Sequence, residues 1–273
     1  MKIAVIWWFD KASYVFDNWR DGLRSALELI GKEHRVSWYL DKTAPDPEDG
    51  HDFILLWDDS NSTFFDQMGK YSCKKGLCLT TDPQNFDNLR KLDVVFCESD
   101  PVFNAVRSQG VKAIKAFGTD TDYFTPGKKR DKTMDFFYPA TFSPWKRQSE
   151  IAYLGNQLTC IGTLQPDGKY ELEECQKMGV NIELGYFPVS KIRDYYKRTK
   201  NIIIPAVHGS ERTVLEAMSA GIKPQVTHKE NTKTYSYIKE LEESGLKPRD
   251  FVLKNYSHKV YAKQLLKGIQ NDT

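Results

Sequence analysis

The feature that most constrains this chain is a regular exchange of two hydrophobic periods. Short apolar runs of strand length give way to stretches with apolar residues at helical spacing, almost from one end to the other. Residues 2–9 form a strand-like run, and Trp19, Leu23, Ala26, Leu27 and Ile30 then recur at helical spacing. Residues 35–40, 53–57, 77–80 and 93–97 read as further strands, with a Pro/Asp/Gly turn at 46–50. A helix over 101–109 opens on Pro101, where proline fits a first turn, and 111–117 closes the first half. The stretch 125–132 is polar, carries Pro126 and Gly127, and reads as a linker. Beyond it the alternation restarts, with strands at 136–138, 158–161, 181–184, 202–205 and 223–226 and helices at 192–196, 214–218 and 260–269.

Strands alternating with helices imply parallel sheets covered on both faces. Two such halves imply an α/β chain of two Rossmann-like domains facing a cleft. The expected boundaries are a first domain at 1–126, a second domain at 127–256, and a helix at 257–273 that packs back on the first domain. A net charge of +2 demands no nucleic-acid partner. No apolar run approaches the roughly 18–20 residues that span a bilayer. The opening apolar stretch ends at Asp10 with no cleavage site after it, so it reads as a strand rather than an export signal. The cysteines at 73, 78, 97, 160 and 175 are odd in number and lack paired short spacing. That argues against a disulfide framework or a zinc site and points to a reducing cytoplasm. No G-x-G-x-x-G or P-loop lysine motif follows a strand, which disfavours a standard NAD or FAD site and a P-loop ATPase.

The most informative segment is 205–221, Pro-Ala-Val-His-Gly-Ser-Glu-Arg-Thr-Val-Leu-Glu-Ala-Met-Ser-Ala-Gly. A buried strand ends at Pro205, a polar turn follows, and a helix is expected from near Thr213 to Gly221, a good terminator. In an open α/β sheet, ligands bind where strand ends meet helix N-termini, and the free amides there favour phosphate. Glu216 is the anomaly, a carboxylate inside Val214-Leu215-Glu216-Ala217-Met218. Buried, it needs hydrogen-bond donors, and ribose hydroxyls are suitable. The alternative is that it faces solvent or pairs with a nearby Lys or Arg.

This segment resembles the E-x7-E region of retaining glycosyltransferases of family 4, which have the GT-B fold. The resemblance implies that Glu216 binds the donor ribose and that Gly209, Ser210, Glu211, Arg212, Thr213 and Val214 line the nucleotide. Eight positions before Glu216, where the family has a glutamate on the donor sugar, stands His208. Imidazole can still exchange a hydrogen bond with a sugar hydroxyl, and Glu211 is the alternative carboxylate. A second match is Tyr138-Pro139-Ala140-Thr141-Phe142-Ser143-Pro144-Trp145-Lys146-Arg147, which is similar to the family's strand followed by G-R-L-x-x-x-K-G. It implies that Lys146 neutralises the donor diphosphate. The family arginine maps to Thr141, and Arg147 is the candidate substitute. Residues 117–126 are similar to the family's interdomain P-N-G-V-D-x-x-x-F-x-P, with Gly118 where backbone passes close to a ligand. Asp120-Thr121-Asp122 mimics a D-x-D metal motif, but its position matches the interdomain segment, so no metal is expected. Gly185-Tyr186-Phe187-Pro188 is similar to the region against the base, which makes Phe187 and Pro188 donor-side candidates.

The resemblance thus implies retaining transfer from a nucleotide-diphosphate sugar, UDP-linked by expectation, with no further cofactor. Asp58, Asp59, Asp10, Asp17 and Gly118 are the acceptor-side candidates, Asp58 as a catalytic one. The rings of the first loop, Trp7, Trp8, Phe9, Tyr14 and Phe16, suit core packing or stacking on a sugar. The expected acceptor is a saccharide or glycan, with a hydroxymethylated base in DNA as the other class. Lys191, Arg193, Lys197, Arg198 and Lys200 would meet phosphates in that case, and a solvated face otherwise. A non-catalytic nucleotide-sugar binding protein of the same fold is the rival reading.

Overall fold

The computed structural model describes residues 1–7, 20–40, 43–79 and 81–270. It contains two compact units, one of residues 1–118 and 258–273, the other of 119–257.

The first unit is built on a parallel sheet in the order β2-β1-β3-β4-β5-β6. Its strands are β1 (Lys2–Trp7), β2 (Arg35–Tyr39), β3 (Phe53–Asp58), β4 (Lys74–Leu79), β5 (Val94–Cys97) and β6 (Ala113–Lys115). Alternate side chains leave opposite faces of a strand. Ile3, Val5 and Trp7 therefore join one core with Leu55, Phe96, α1 (Gly22–Ile30) and the C-terminal helix, while Ala4 and Ile6 join another with Ile54, Leu56, Leu77 and Val102. Burial on both faces explains why these strands read as unbroken apolar runs. Trp7 is fully buried, its ring 3.9 Å from that of Trp57. Two further helices follow β4 and β5, α2 (Phe86–Leu89) and α3 (Asp100–Ser108).

The second unit holds a parallel sheet in the order β11-β10-β7-β8-β9. The strands are β7 (Met134–Pro139), β8 (Leu158–Gly162), β9 (Asn181–Leu184), β10 (Thr199–Ile204) and β11 (Gln225–Val226). The helices are α4 (Lys169–Lys177), α5 (Val189–Arg198), α6 (Glu211–Ser219), α7 (Thr232–Ser244) and α8 (Pro248–Asn255), and a 3-10 stretch, Gln148–Gln157, follows β7. β10 begins earlier than the apolar run, because Thr199 and Asn201 pair with Met134 and Phe136. It ends at Ile204, since Pro205 has no N–H to offer the ladder. α6 is buried on nearly every side. Arg249 of α8 ties its end to the segment that enters this unit, donating to the carbonyls of Ser219 (2.5 Å), Phe124 (3.1 Å) and Thr121 (3.2 Å).

α9 (His258–Gln270) packs on α1 in the first unit. The same helix lies close on β5 and β6 through Gly268: a Cβ there would lie 2.4 Å from the Phe96 ring and 2.9 Å from Ile114 Cδ1. Alanine in a helix interior gains about 1 kcal/mol over glycine, but overpacking of this kind costs about 1–3 kcal/mol. Gly268→Ala is therefore expected to lower the urea midpoint rather than raise it.

Candidate functional site

In each sheet the chain runs outward one way, returns, and continues on the other side. The reversal falls between β7 and β10 in the second unit and between β1 and β3 in the first. Strand connections diverge at such a point and leave a crevice at the carboxyl ends, where ligands of open α/β sheets bind. The loops after β7 and β10 carry Lys146 and the 205–210 turn. They are joined directly, Val207 N–H donating to the Trp145 carbonyl at 3.0 Å.

Lys146 is half-buried there. Its ammonium donates to the His208 carbonyl and to Ser210 Oγ, both at 3.1 Å. Desolvation lowers its pKa to about 8, with Glu211 opposing and Arg212 and Lys233 adding to the fall. An ammonium held by two neutral oxygens at a cost in hydration can take an anion as a further partner. Gly209 permits the approach, for its φ is +72° and a Cβ would stand 2.6 Å from Lys146 Nζ.

α6 begins beside this group. Ser210, its N-cap, has the left-handed φ of 82° and makes no side-chain cap hydrogen bond. Its hydroxyl instead meets Lys146 and lies 3.3 Å from the Tyr138 hydroxyl. The first-turn amides of a helix carry partial positive charge and favour phosphate oxygens. Glu211, the first residue of the helix, is 7% exposed.

Glu216 is 4% exposed, so it does not face solvent. Its Oε2 accepts from the buried Tyr196 hydroxyl at 3.0 Å, and Arg212 Nε stands 3.3 Å from its Oε1, one helical turn away. Of the two readings open from the sequence, burial and an arginine pair both hold. The Arg212 side chain is 44% exposed, so the arginine beside that carboxylate oxygen faces solvent.

The other candidates fall at several places. His208 is exposed, and its carbonyl, rather than its ring, is what Lys146 contacts. Thr141 Oγ1 bonds the Thr163 hydroxyl (2.7 Å) and carbonyl (2.9 Å). Arg147 has a left-handed backbone and pairs with Glu150 at 2.6 Å. Phe187, after β9, lies under the Lys191 ammonium at 4.4 Å, with Pro188 capping α5. Gly118 is buried at the end of the first unit. Asp120 Oδ1 accepts from the amides of Asp122 (3.1 Å) and Tyr123 (3.0 Å), a turn-forming role. Asp58 ends β3 at the reversal of the first sheet, half-buried, and Asp59 Oδ1 accepts from Asn61 N–H at 2.7 Å. Asp10 and Asp17, with Trp8, Phe9, Tyr14 and Phe16, lie outside the described residues. On the basic segment, Lys191 pairs with Glu183, Arg193 with Asp194 (3.0 Å) and Lys200 with Asp135 (2.7 Å). Among the described residues no His/Cys/Asp/Glu group is arranged to hold a metal ion, and no helix is long and apolar enough to cross a membrane.

Sequence reasoning missed the brace behind the turn. Asn231, N-cap of α7, donates to the carbonyls of Ala206 and Gly209, both at 3.0 Å, and Thr234 Oγ1 donates to the Gly209 carbonyl at 2.6 Å. Lys233, between them in the chain, is 7% exposed. Asn231 as N-cap and the left-handed Gly245 as terminator were the available signals. The Thr- and Ser-rich first turns of α7 obscured them.

His228, after β11, ties that loop to the one after β7. Its Nε2 is 2.5 Å from Glu150 and its Nδ1 2.6 Å from Glu230. The Glu150 contact, above all, raises its pKa above the ordinary 6.5. Burial pushes the Glu150 carboxyl up, but His228 and Arg147 outweigh this and hold it below 4.5. The histidine's contribution to stability is complete below pH 6.5 and is lost as pH rises through the raised value. The carboxylate's is complete above pH 4.5 and is lost as pH falls through the lowered one. At this surface position the total is about 1 kcal/mol or less. His228→Gln should therefore lower the urea midpoint at pH 6 and have little effect at pH 9.

No family model matches the chain, and no curated protein matches it by sequence. Solved structures do. HepE from Anabaena, in complex with UDP and glucose, has a TM-score of 0.66 at 10% identity, covering 98% of this chain and 99% of that one. AviGT4, a glycosyltransferase involved in avilamycin A biosynthesis, has a TM-score of 0.62 at 14% identity, covering 99% and 97%. A structure of trehalose-6-phosphate synthase, from work on enzymatic glycosyl transfer with retention, has a TM-score of 0.68 at 9% identity and covers 99% of both chains. With the two parallel sheets, these likenesses establish a fold of two Rossmann-like domains, the GT-B fold.

Proposed function

We propose that this chain is a glycosyltransferase that moves a sugar from a nucleotide-diphosphate donor, UDP-linked by preference, to a hydroxyl acceptor with retention of anomeric configuration. One observation carries the reading: a partly desolvated ammonium, Lys146, stands at the β7/β10 reversal against the α6 tip, and the same helix bears the buried Glu216. Cation and helix tip suit a diphosphate. The carboxylate lies five residues further, roughly 7 Å along the axis, a distance suited to the ribose of the same nucleotide. Its hydroxyls would displace Arg212 from Glu216 Oε1, while Tyr196 keeps Oε2.

In the proposed reaction, the bond from the anomeric carbon to the diphosphate breaks, and Lys146 with the amides of 211–213 takes up the charge that develops on the leaving oxygen. The acceptor hydroxyl attacks from the same face, and its proton passes to the departing diphosphate. His208 and Glu211 contact the sugar, Ser210, Thr213 and Val214 line the nucleotide, and Phe187 and Pro188 flank the base. Asp58 and Asp59, with Asp10 and Asp17, hold the acceptor, for which a saccharide is the class of choice. The ligands in the HepE structure and the retention attributed to trehalose-6-phosphate synthase support the reading. Five free thiols fit a cytoplasmic setting.

The test is turnover. Purified chain is incubated with UDP-, GDP- and ADP-linked sugars, alone and with a panel of saccharide acceptors, and the product anomer is read by proton NMR. The reading expects nucleotide release with an axial or equatorial product matching the donor. Donor binding without hydrolysis or transfer would favour the non-catalytic binding protein.

A further inference from the structure

Among the described residues, Arg147 and Ser210 are the non-glycine residues with a left-handed backbone, at φ 49° and 82°. They belong to different loops, those after β7 and β10, yet both stand at Lys146. Arg147 follows it in the chain, and Ser210 Oγ accepts from its ammonium at 3.1 Å. A Cβ is unfavourable in this region of backbone space, which glycine normally fills. Strain of this kind persists only where the surrounding structure imposes it, and it gathers at functional sites.

The turn and the helix do not by themselves call for serine at 210. The residue before it, Gly209, has φ +72°. An N-cap serine ordinarily has an extended backbone and accepts from an amide of the first helical turn. Ser210 is left-handed and makes no such bond, so glycine would serve α6 as well. What glycine lacks is the hydroxyl. That hydroxyl sits between Lys146 Nζ and the Tyr138 hydroxyl, which lies 3.3 Å away. Tyr138 belongs to β7 and is 0% exposed, so it offers a fixed point. On the other side of the turn, Asn231 and Thr234 clasp the Gly209 carbonyl, which fixes the backbone just before Ser210. A lysine ammonium swings on a flexible four-carbon stem. Ser210, anchored on both sides, holds that ammonium in one place, together with the His208 carbonyl.

We propose that Ser210 is a positioning residue, which holds the Lys146 ammonium beside the first turn of α6 for the donor diphosphate, and that the left-handed strain is retained for its hydroxyl. The inference rests on the glycosyltransferase reading and adds to it a residue that acts on the diphosphate through Lys146. UDP is titrated calorimetrically into the full chain as wild type, Ser210→Ala, Ser210→Gly, Lys146→Ala and the double variant K146A/S210A. Ser210→Ala and Ser210→Gly should each weaken UDP about tenfold, the worth of a hydrogen bond to a charged group. Against Lys146→Ala, loss of the hydroxyl should change affinity by less than about twofold, because residues that act as a unit are not additive. Urea midpoints separate strain from binding: Ser210→Gly relieves the left-handed Cβ and should be more stable than Ser210→Ala. Both variants take a partner from the buried Tyr138 hydroxyl and can weaken the fold. Tyr138→Phe is therefore compared with Y138F/S210A, and a loss of UDP affinity is again expected between them. Unchanged affinity in the Ser210 variants, or the same loss with and without Lys146, overturns the positioning role. A glycine variant no more stable than the alanine one overturns the strain. No binding of UDP, GDP or ADP by the wild type overturns the donor site itself, and this inference with it.

Discussion

Replacing Lys146 with alanine should lower kcat for sugar transfer by about 10²–10³-fold, with a smaller change in KM. The magnitude is that of removing one preorganised donor from a developing negative charge. The split follows because, in the proposed reaction, charge on the leaving oxygen grows toward the transition state, which the ammonium would then bind better than the ground state. Stability should move the other way. The folded chain holds the Lys146 pKa at about 8 by desolvation, below the ordinary 10.5. Between those values the unfolded chain binds more protons, so wild-type stability gains from this group as pH rises through that window. The alanine variant lacks that gain and loses nothing at pH 7. Paired urea titrations at pH 7 and 10, beside steady-state kinetics, check both parts. A variant that is less stable at pH 7 and catalytically unchanged would make Lys146 a structural residue.

Glu216→Ala should raise the donor dissociation constant about tenfold to a hundredfold and leave kcat less affected, as expected of a group that grips ribose equally in ground and transition states. It also strips the buried Tyr196 hydroxyl of its acceptor, which costs about 1–3 kcal/mol. Burial, and then the Glu216 carboxylate, raise the Tyr196 pKa, so the phenol remains a donor at any ordinary pH. Glu216→Gln separates the effects. Its amide oxygen can still accept from Tyr196, so most stability returns, while the charge that attracts Arg212 is gone. Calorimetric titration of UDP against all three proteins, with melting curves, distinguishes ribose binding from packing. Equal affinities in all three would leave Glu216 as a partner of Tyr196 and Arg212 only.

The fold was legible because apolar period and turn chemistry agree along most of the chain. Ile202–Ile204 and the buried α6 follow directly from the pattern. The boundaries were less so. The expected strand at 111–117 pairs only over Ala113–Lys115, and that at 223–226 only at Gln225 and Val226, with Pro224 just before it. Glu216 stood out as an acid in an apolar helix, and its i, i+4 spacing from Arg212 was readable as a pair. The Tyr196 hydroxyl that shares the carboxylate was not, since it comes from α5, twenty residues earlier. Lys233 and Asn231 were hidden for the same reason. They reach the α6 tip by tertiary packing of α7, which no local period encodes. Lys146 was found through a motif, but its exchange of water for two neutral oxygens required the loop after β10 to be in place.

The central claim is that the α6 tip with Lys146 binds a nucleoside diphosphate. The most direct measurement is a thermal-shift series of wild type and Lys146→Ala against UDP-, GDP-, ADP- and CMP-linked sugars at pH 7, since ligand that binds only the folded chain raises Tm. The account predicts a concentration-dependent rise for wild type with at least one diphosphate sugar and a markedly smaller rise for the variant. No rise with any of them, or equal rises in both proteins, would contradict it.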